Sequence, residues 1–346
     1  MIRNGGIRDA ELWRLLDLAV RVGSDPLLTQ ASTGNISIKR DGVLWIKASG
    51  RWMADAASGD ILIPLDLTQL LNGCLGRHVD PADCYQGAST ETALHAVLPH
   101  RIVLHVHCVN TIAWAVRYDG ATRLKQLLHG LSWQWVPYVA SGLPLSYAIE
   151  SVLCTDPSTD VFILGNHGLV VCGNEPEAVE QLLDEVIRRV SIPPRDSRAH
   201  DDVVLQAMSR NSGWMAPEDE KIHTLGTDPI SRRILAGGIL YPCQAIFSDI
   251  SAHNPFVPIS DLESFCDSEA LRSDQPFRIF EGRGVLVSET ISSAALAMLC
   301  GLGEVLQRLH ASAPIRYLTE LEVAAIPHET VHRYRELASV RLSSTR

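Results

Sequence analysis

The segment RIVLHVHCVNTIAWAV, residues 101–116, constrains this chain more than any other. It begins as an apolar strand, yet two of its central positions are histidines, His105 and His107. Burying two imidazoles costs free energy unless each ring nitrogen finds a partner. Residues two apart in a strand point to the same face, so the two rings stand side by side. They are either hydrogen-bonded core residues, the commoner arrangement for a lone His-x-His, or half of a metal site. The same alternation sends Cys108 to the opposite face.

A chain of 346 residues exceeds one ordinary core and suits two domains. Hydrophobic residues at 46% and charged residues at 20% describe a folded soluble protein. The net charge of -10 argues against a nucleic-acid partner, which calls for a basic face. No apolar run is long enough to cross a bilayer, so no membrane association is expected. The opening MIRNGGIRDAELWRLLDL carries charges inside what would be the apolar part of a signal peptide, so a cytoplasmic location is expected. It reads instead as an amphipathic helix with Leu12, Leu15, Leu16, Ala19 and Val20 on one face. The eight cysteines are scattered without a CxxC pair and read as buried free thiols in a reducing compartment.

Pattern and turn signals give the organisation. A helix over 11–22 precedes the polar turn QASTGNIS. ISIKRDGVLWIKASG is a hairpin turning at Asp41-Gly42. ETALHAVLP is a short helix ended by Pro99, and RIVLHVHCV is a strand. STDVFILGNHGLVVCG is two strands, or one bent strand, broken at a glycine-flanked turn. EPEAVEQLLDEVIRRVSI is a helix with Val179, Leu182, Leu183, Val186 and Val190 on its apolar face. The prolines and charges of SIPPRDSRAHDD mark an exposed connection, which divides the chain into 1–195 and 196–346. The second part offers two strand regions, GGILYPCQAIFS and FRIFEGRGVLVS, the latter a hairpin turning at residues 281–284. The helix SAALAMLCGLGEVLQRLH should pack on those strands to form a small α/β unit, which either docks near the rim of the histidine site or is an appendage involved only in assembly. Thr319 and Glu322 form a capping box, and the tail SVRLSSTR should fray.

A zinc site takes imidazole nitrogens, and a catalytic one keeps a coordination position open. The best third ligand is His167 in GNHGLVV, at a strand break where Gly168 permits close approach. Glu91 stands at a helix start after Ser89 and Thr90. It is either part of a capped helix start beside the helix dipole or a base beside the metal, its pKa raised by apolar surroundings. His95, four residues on, reads as a supporting or packing residue. The polar loops with Gly34 and Asn35, with Ser49 and Gly50, and with Ser89 and Thr90 have the hydroxyls and backbone N–H groups that cradle phosphates. Each alone is no better than a turn. Lys47 shares a strand face with Ser49 and could add a positive charge there, but a solvated lysine is the favoured reading.

The ordered set Gly-Asn, Ser-Gly, Ser-Thr-Glu, His-x-His and Asn-His-Gly resembles the class II aldolase/adducin family over roughly the first 190 residues. LWIKASGRWMADA, ETALHAVLPHRIVLHVH and VPYVASGLPLSYAI look most like the aldolase half of bifunctional rhamnulose-phosphate aldolase/alcohol dehydrogenases. No glycine-rich dinucleotide fingerprint follows the last helices, so a dehydrogenase half is not expected.

The resemblance implies an α/β fold: a three-layer α/β/α domain around a central, mostly antiparallel sheet, with a smaller C-terminal α/β domain appended. It implies Zn2+, or another divalent metal, held by His105, His107 and His167, with Glu91 as acid/base. It implies a substrate phosphate pocket at Gly34, Asn35, Ser49, Gly50, Ser89 and Thr90. Glu rather than Asp at position 91 favours aldolase over 4-epimerase, and the full ligand set favours an enzyme over a structural adducin-like protein. The implied reaction cleaves a ketose 1-phosphate to dihydroxyacetone phosphate and an aldehyde. A metal-dependent epimerase or decarboxylase, or a non-catalytic binding protein, are the alternatives. The implied partners are a sugar or sugar-phosphate substrate and further copies of the chain in a homotetramer. The family's usual Gly-Gly-Asn is Thr33-Gly34-Asn35 here. Its C-terminal tyrosine has no counterpart placed by spacing; Tyr317 and Tyr334 are the candidates.

Overall fold

The structure is a computed structural model that describes residues 10–58, 61–210, 212–248, 255–257 and 276–326. Tyr334, Cys266 and the tail SVRLSSTR lie outside the described residues.

Alternating apolar residues over Asn35–Arg40 (β1) and Val43–Lys47 (β2) make an antiparallel hairpin. Its turn places Asp41 and Gly42 at φ of 51° and 76°, the left-handed pair that a two-residue hairpin turn needs. Leu62–Asp66 (β3), Ile102–Val106 (β4), Trp133–Val136 (β5), Val161–Leu164 (β6) and Gly168–Gly173 (β7) complete a seven-stranded sheet. The strand order is β3-β2-β1-β4-β7-β6-β5. Every pairing is antiparallel except β5 with β6. The 161–173 segment is thus two strands joined by a tight turn.

Strand periodicity sorts the β4 side chains between two cores. Ile102, Leu104 and Val106 join Ile36, Ile38, Ile163 and Val171 in one apolar cluster. The helices Ala10–Ser24 and Pro176–Val190 cover it with Leu15, Val22, Val179, Leu183 and Val186. Val103 faces the other way, toward Leu94, Leu98, Leu145 and Ile149 of the helices Thr92–Val97 and Leu143–Thr155 and the loop after the first. Helices therefore lie on both faces of the sheet, which makes three layers. A fully buried Leu or Ile contributes about 1.5–3 kcal/mol, so both faces hold the sheet against its helices. Cys108 lies in the first cluster, opposite the histidine face.

The C-terminal part holds a second sheet of four strands in the order β8-β11-β10-β9. These are Trp214–Met215, Gly284–Ser288, Phe277–Phe280 and Phe256–Val257 respectively. The 277–288 hairpin and the Thr319–Glu322 capping box are present. Two expectations are corrected. Residues 242–248 of GGILYPCQAIFS are the helix Pro242–Ser248 rather than a strand. Pro242 suits a first helical turn, where its missing N–H costs nothing. The long helix Ser293–Gln307 lies mainly against helices Glu220–Thr227 and Pro242–Ser248 and against Val109–Ala115, and joins Val285 and Val287 only as part of one larger apolar cluster, while Glu220–Thr227 and Asp202–Ser209 pack on β11. Val109, Ile112 and Val116 share one apolar cluster with Leu299, Leu302, Val305 and Leu306. The connection at 191–201 has no regular structure, but Arg195 is anchored on the carbonyls of Leu306 and Leu309 and on Asp228. The seven described cysteines are free, and Cys84 and Cys154 are exposed rather than buried.

Candidate metal centre

β4 carries His105 as its next-to-last residue and delivers His107 just past its end. His105 pairs across the sheet with Asn35 on one side and Val170 on the other. Its Nδ1 lies 3.0 Å from the Leu169 carbonyl, so Nδ1–H donates there and Nε2 is left with its lone pair. His167 sits in the β6–β7 turn, after Asn166 at a left-handed φ of 50°. Gly168 follows because a Cβ there would come within 2.6 Å of the Val106 carbonyl and 3.2 Å of the His105 ring. Gly34 is required for the same reason: its φ is 70° and a Cβ would meet the His105 carbonyl at 2.6 Å.

The Nε2 atoms of His105 and His107 are 3.1 Å apart. Glu91 Oε1 lies 3.2 Å from Nε2 of both His105 and His167. All four side chains are buried, and their ligand atoms lie within 4.8 Å of one another. Ligands bound about 2.0–2.1 Å from one tetrahedral ion sit roughly 3.3 Å apart. The spacings and the three converging Nε2 atoms therefore fit a divalent cation. Glu91 stands at the head of helix Thr92–Val97, inside the donor set rather than merely beside it. Its other oxygen, Oε2, accepts from Asn35 Nδ2 at 2.6 Å.

Burial alone pushes the Glu91 carboxyl up, but His105 and His167 outweigh it and hold it well below the usual carboxylate range. This corrects the expectation of a raised pKa, which considered the apolar surroundings without the rings. Burial pushes His105 down, yet the Glu91 carboxylate lifts it above its ordinary value. His107 is held well below by burial and then by its two histidine neighbours. Burial also lowers His167. His95 is driven to about 3 by burial and is neutral, with Nδ1 2.7 Å from Ser37 Oγ.

The polar loops gather around Glu91. Ser89 Oγ accepts from the Glu91 N–H at 3.3 Å. The Ser49 N–H donates to the Gly87 carbonyl at 2.9 Å, tying the 49–50 loop to the 87–90 loop. Gly50 has a φ of 76°, and Thr90 is half-buried beside Ser89. Lys47, expected to be solvated, is 1% exposed. Its Nζ donates to the carbonyls of Ser32 at 2.9 Å and Arg51 at 2.8 Å, so it straps the first two loops together. Burial lowers it to about 8, with the Glu91 charge opposing. The available signal was its place at the end of the apolar strand VLWIK. Ser32 Oγ and Asn35 Oδ1 are buried without a hydrogen-bond partner among the described residues.

Two contributors come from the C-terminal part and had no local signal. Cys243 Sγ lies 3.5 Å from His107 Nδ1, 136 residues away in sequence. Arg316 Nη1 donates to Asn166 Oδ1 at 2.8 Å. Tyr317 is spent on structure, its hydroxyl donating to the Ile234 carbonyl.

The fold and site define a mostly antiparallel sheet with helices on both faces that carries a buried cluster of three histidines and one carboxylate able to hold a metal ion. Residues 18–192 match the model of the class II aldolase and adducin N-terminal domain, and the chain belongs to that family. The Bacillus subtilis strain 168 protein named uncharacterized oxidoreductase YuxG is 28% identical over 196 residues. That match spans 48% of this chain but only 27% of the relative's length. Among solved structures, the N-terminal class II aldolase domain of a conserved Thermoplasma acidophilum protein is similar at 21% identity and a TM-score of 0.43. It covers 55% of this chain and 98% of that one. L-fuculose-1-phosphate aldolase from Thermus thermophilus is similar at 18% identity and a TM-score of 0.37, covering 51% of this chain and 92% of that one. Among the described residues, no helix is long and apolar enough to cross a membrane.

Proposed function

We propose that the protein is a metal-dependent aldehyde-lyase that cleaves a ketose 1-phosphate to dihydroxyacetone phosphate and an aldehyde. The observation that carries this reading is the convergence of the His105, His107 and His167 Nε2 atoms on Glu91 Oε1. Those histidines would hold the metal, zinc in the first instance since it favours imidazole in low-coordinate sites. A bound divalent ion supplies Lewis-acid stabilisation of the negative charge that develops on the substrate oxygens. In the retro-aldol step the hydroxyl of the aldehyde half would give its proton to the Glu91 carboxylate as the C–C bond breaks and its electrons pass to the enediolate. Glu91, steadied by Asn35, returns a proton to the enediolate carbon.

The substrate phosphate would lie among Gly34, Asn35, Ser49, Gly50, Ser89 and Thr90, with Lys47 as the pocket's charge. Supporting this placement, the Ser32 hydroxyl is buried unpaired and the Lys47 ammonium is buried against neutral carbonyls. Leaving such groups without a ligand is costly. The reading treats 1–195 as the metal-binding catalytic unit, 196–346 as a unit that covers it, and the working protein as a cytoplasmic homotetramer.

The test pairs metal analysis with a screen of ketose 1-phosphates for dihydroxyacetone phosphate release. About one divalent ion per chain together with release from at least one ketose supports the reading. Metal with epimerised or decarboxylated products instead would replace it with those chemistries. A protein that takes up no metal would point to a binding role.

A further inference from the structure

Asn166, the residue before His167, has its side chain entirely taken up by the C-terminal part. Its Nδ2 donates to the carbonyls of Leu240 and Arg316, each at 2.8 Å, and its Oδ1 accepts from Arg316 Nη1 at 2.8 Å. It is completely buried. These three bonds hold a non-glycine residue in left-handed backbone, a conformation that costs roughly 1–3 kcal/mol and persists only where its surroundings enforce it. Arg316 is braced in turn. Its guanidinium pairs with Glu322 and lies over the Tyr138 ring, and its N–H donates to the Val116 carbonyl.

Across the donor set, Cys243 Sγ meets His107 Nδ1. With Nε2 facing the other ligands, Nδ1 carries the hydrogen and donates to the sulfur. His105 differs, because it takes its equivalent partner, the Leu169 carbonyl, from its own sheet. Two of the three imidazoles thus depend for their aim on residues more than 70 positions away in sequence.

We propose that the C-terminal part is a positioning device for the metal centre, acting through the Asn166–Arg316 clamp at His167 and through Cys243 at His107. The inference rests on the reading of His105, His107, His167 and Glu91 as a metal site. Partners that hold a ligand's orientation are typically worth 10–100-fold in metal affinity. Asn166, Arg316 and Cys243 touch no reacting atom; they act through His167 and His107.

The experiment compares the full-length protein with Asn166→Gly, Arg316→Met, Arg316→Lys and Cys243→Ala. Glycine keeps the left-handed backbone while removing the amide. Zinc affinity is read by competition with a chromophoric chelator, ligand geometry by the visible absorption of the cobalt-substituted protein, and stability by Tm with and without metal. Asn166→Gly and Arg316→Met should weaken zinc binding about 10–100-fold and alter the cobalt spectrum. They should also narrow the Tm gap between metal-loaded and metal-free protein, because that gap reports binding to the folded state. Arg316→Lys should restore part of the affinity, and Cys243→Ala should weaken zinc binding and alter the cobalt spectrum through His107. Variants that lose Tm equally in both forms, with affinity and spectrum unchanged, would overturn the positioning role while leaving the metal site standing. A wild-type protein that binds neither zinc nor cobalt would overturn both.

Discussion

Asn35 and Glu91 meet 56 residues apart in sequence, with the amide Nδ2 2.6 Å from carboxylate Oε2 and both side chains buried. The pairing assigns the two carboxylate oxygens different tasks. Oε2 is anchored on β1, and Oε1 is left facing the ring nitrogens of His105 and His167. Because Asn35 lies directly across from His105 on the neighbouring strand, β-sheet register fixes the acid against the histidines without any flexible element between them. A group so held can exchange a proton with little reorganisation.

Glu91→Gln keeps the volume and can still accept from Asn35, but it has no titratable proton. Turnover should fall by about 10²–10⁴-fold, while the three histidines retain the metal. Steady-state kinetics on a ketose 1-phosphate cleaved by the wild type, with metal content measured on the same samples, checks this. An unchanged rate would place the base elsewhere.

His107→Ala should empty the metal site and leave the fold intact. His107 lies past the end of β4, so no ladder bond depends on its side chain. The neighbouring apolar clusters are untouched by its loss. The expected result is a circular-dichroism spectrum like that of the wild type with metal content near zero. Full metal occupancy in this variant would remove His107 from the ligand set.

The features legible in the sequence were those set by local periodicity and turn chemistry. The Asp41-Gly42 hairpin, the histidine strand and the Asn-His-Gly turn all follow from side-chain alternation and left-handed turn residues. The 242–248 helix was misread because a short apolar run does not distinguish strand from helix by pattern alone. Lys47 was misread because its burial depends on the loops at Ser32 and Arg51 closing over it, which is tertiary information. The Glu91 pKa was misjudged in direction because two imidazoles outweigh burial only once the sheet has brought them within reach. Cys243 and Arg316 reach the centre across an interface that no local pattern encodes.

Lys47 gives opposite pH trends for stability and for binding. Its folded value is about 8 against an ordinary 10.5. Between those values the unfolded chain keeps a proton that the native state has lost, so stability should rise as pH rises from about 8 toward 10.5. An anionic substrate needs the ammonium, so KM should climb over the same window. At neutral pH, Lys47→Met should raise KM for a phosphorylated substrate about 10–100-fold, since hydrogen bonds to charged groups are worth roughly 1.5–3 kcal/mol. The variant's KM should also lose its alkaline rise. A wild-type KM that stays flat from neutral pH to well above 8 would take Lys47 out of the pocket.

Deleting the residues after Pro194 tests whether the C-terminal part belongs to the working centre. The cut uncovers the apolar side of helix Val109–Ala115, where Val109 and Ile112 are completely buried against the C-terminal cluster, and Val116 just beyond it. Each such side chain contributes about 1.5–3 kcal/mol when buried, so the three together rival the roughly 5–15 kcal/mol by which a domain is stable. The cut also frees Asn166 and His107 Nδ1, and it removes Arg308 from Asn110 Oδ1, which keeps the Ile192 N–H. The truncated chain should therefore aggregate, or stay soluble only with weakened metal binding, as read by size-exclusion chromatography and metal analysis. If it instead remains soluble and monodisperse, with metal and turnover at wild-type levels, the C-terminal part is an appendage and the covering role is wrong.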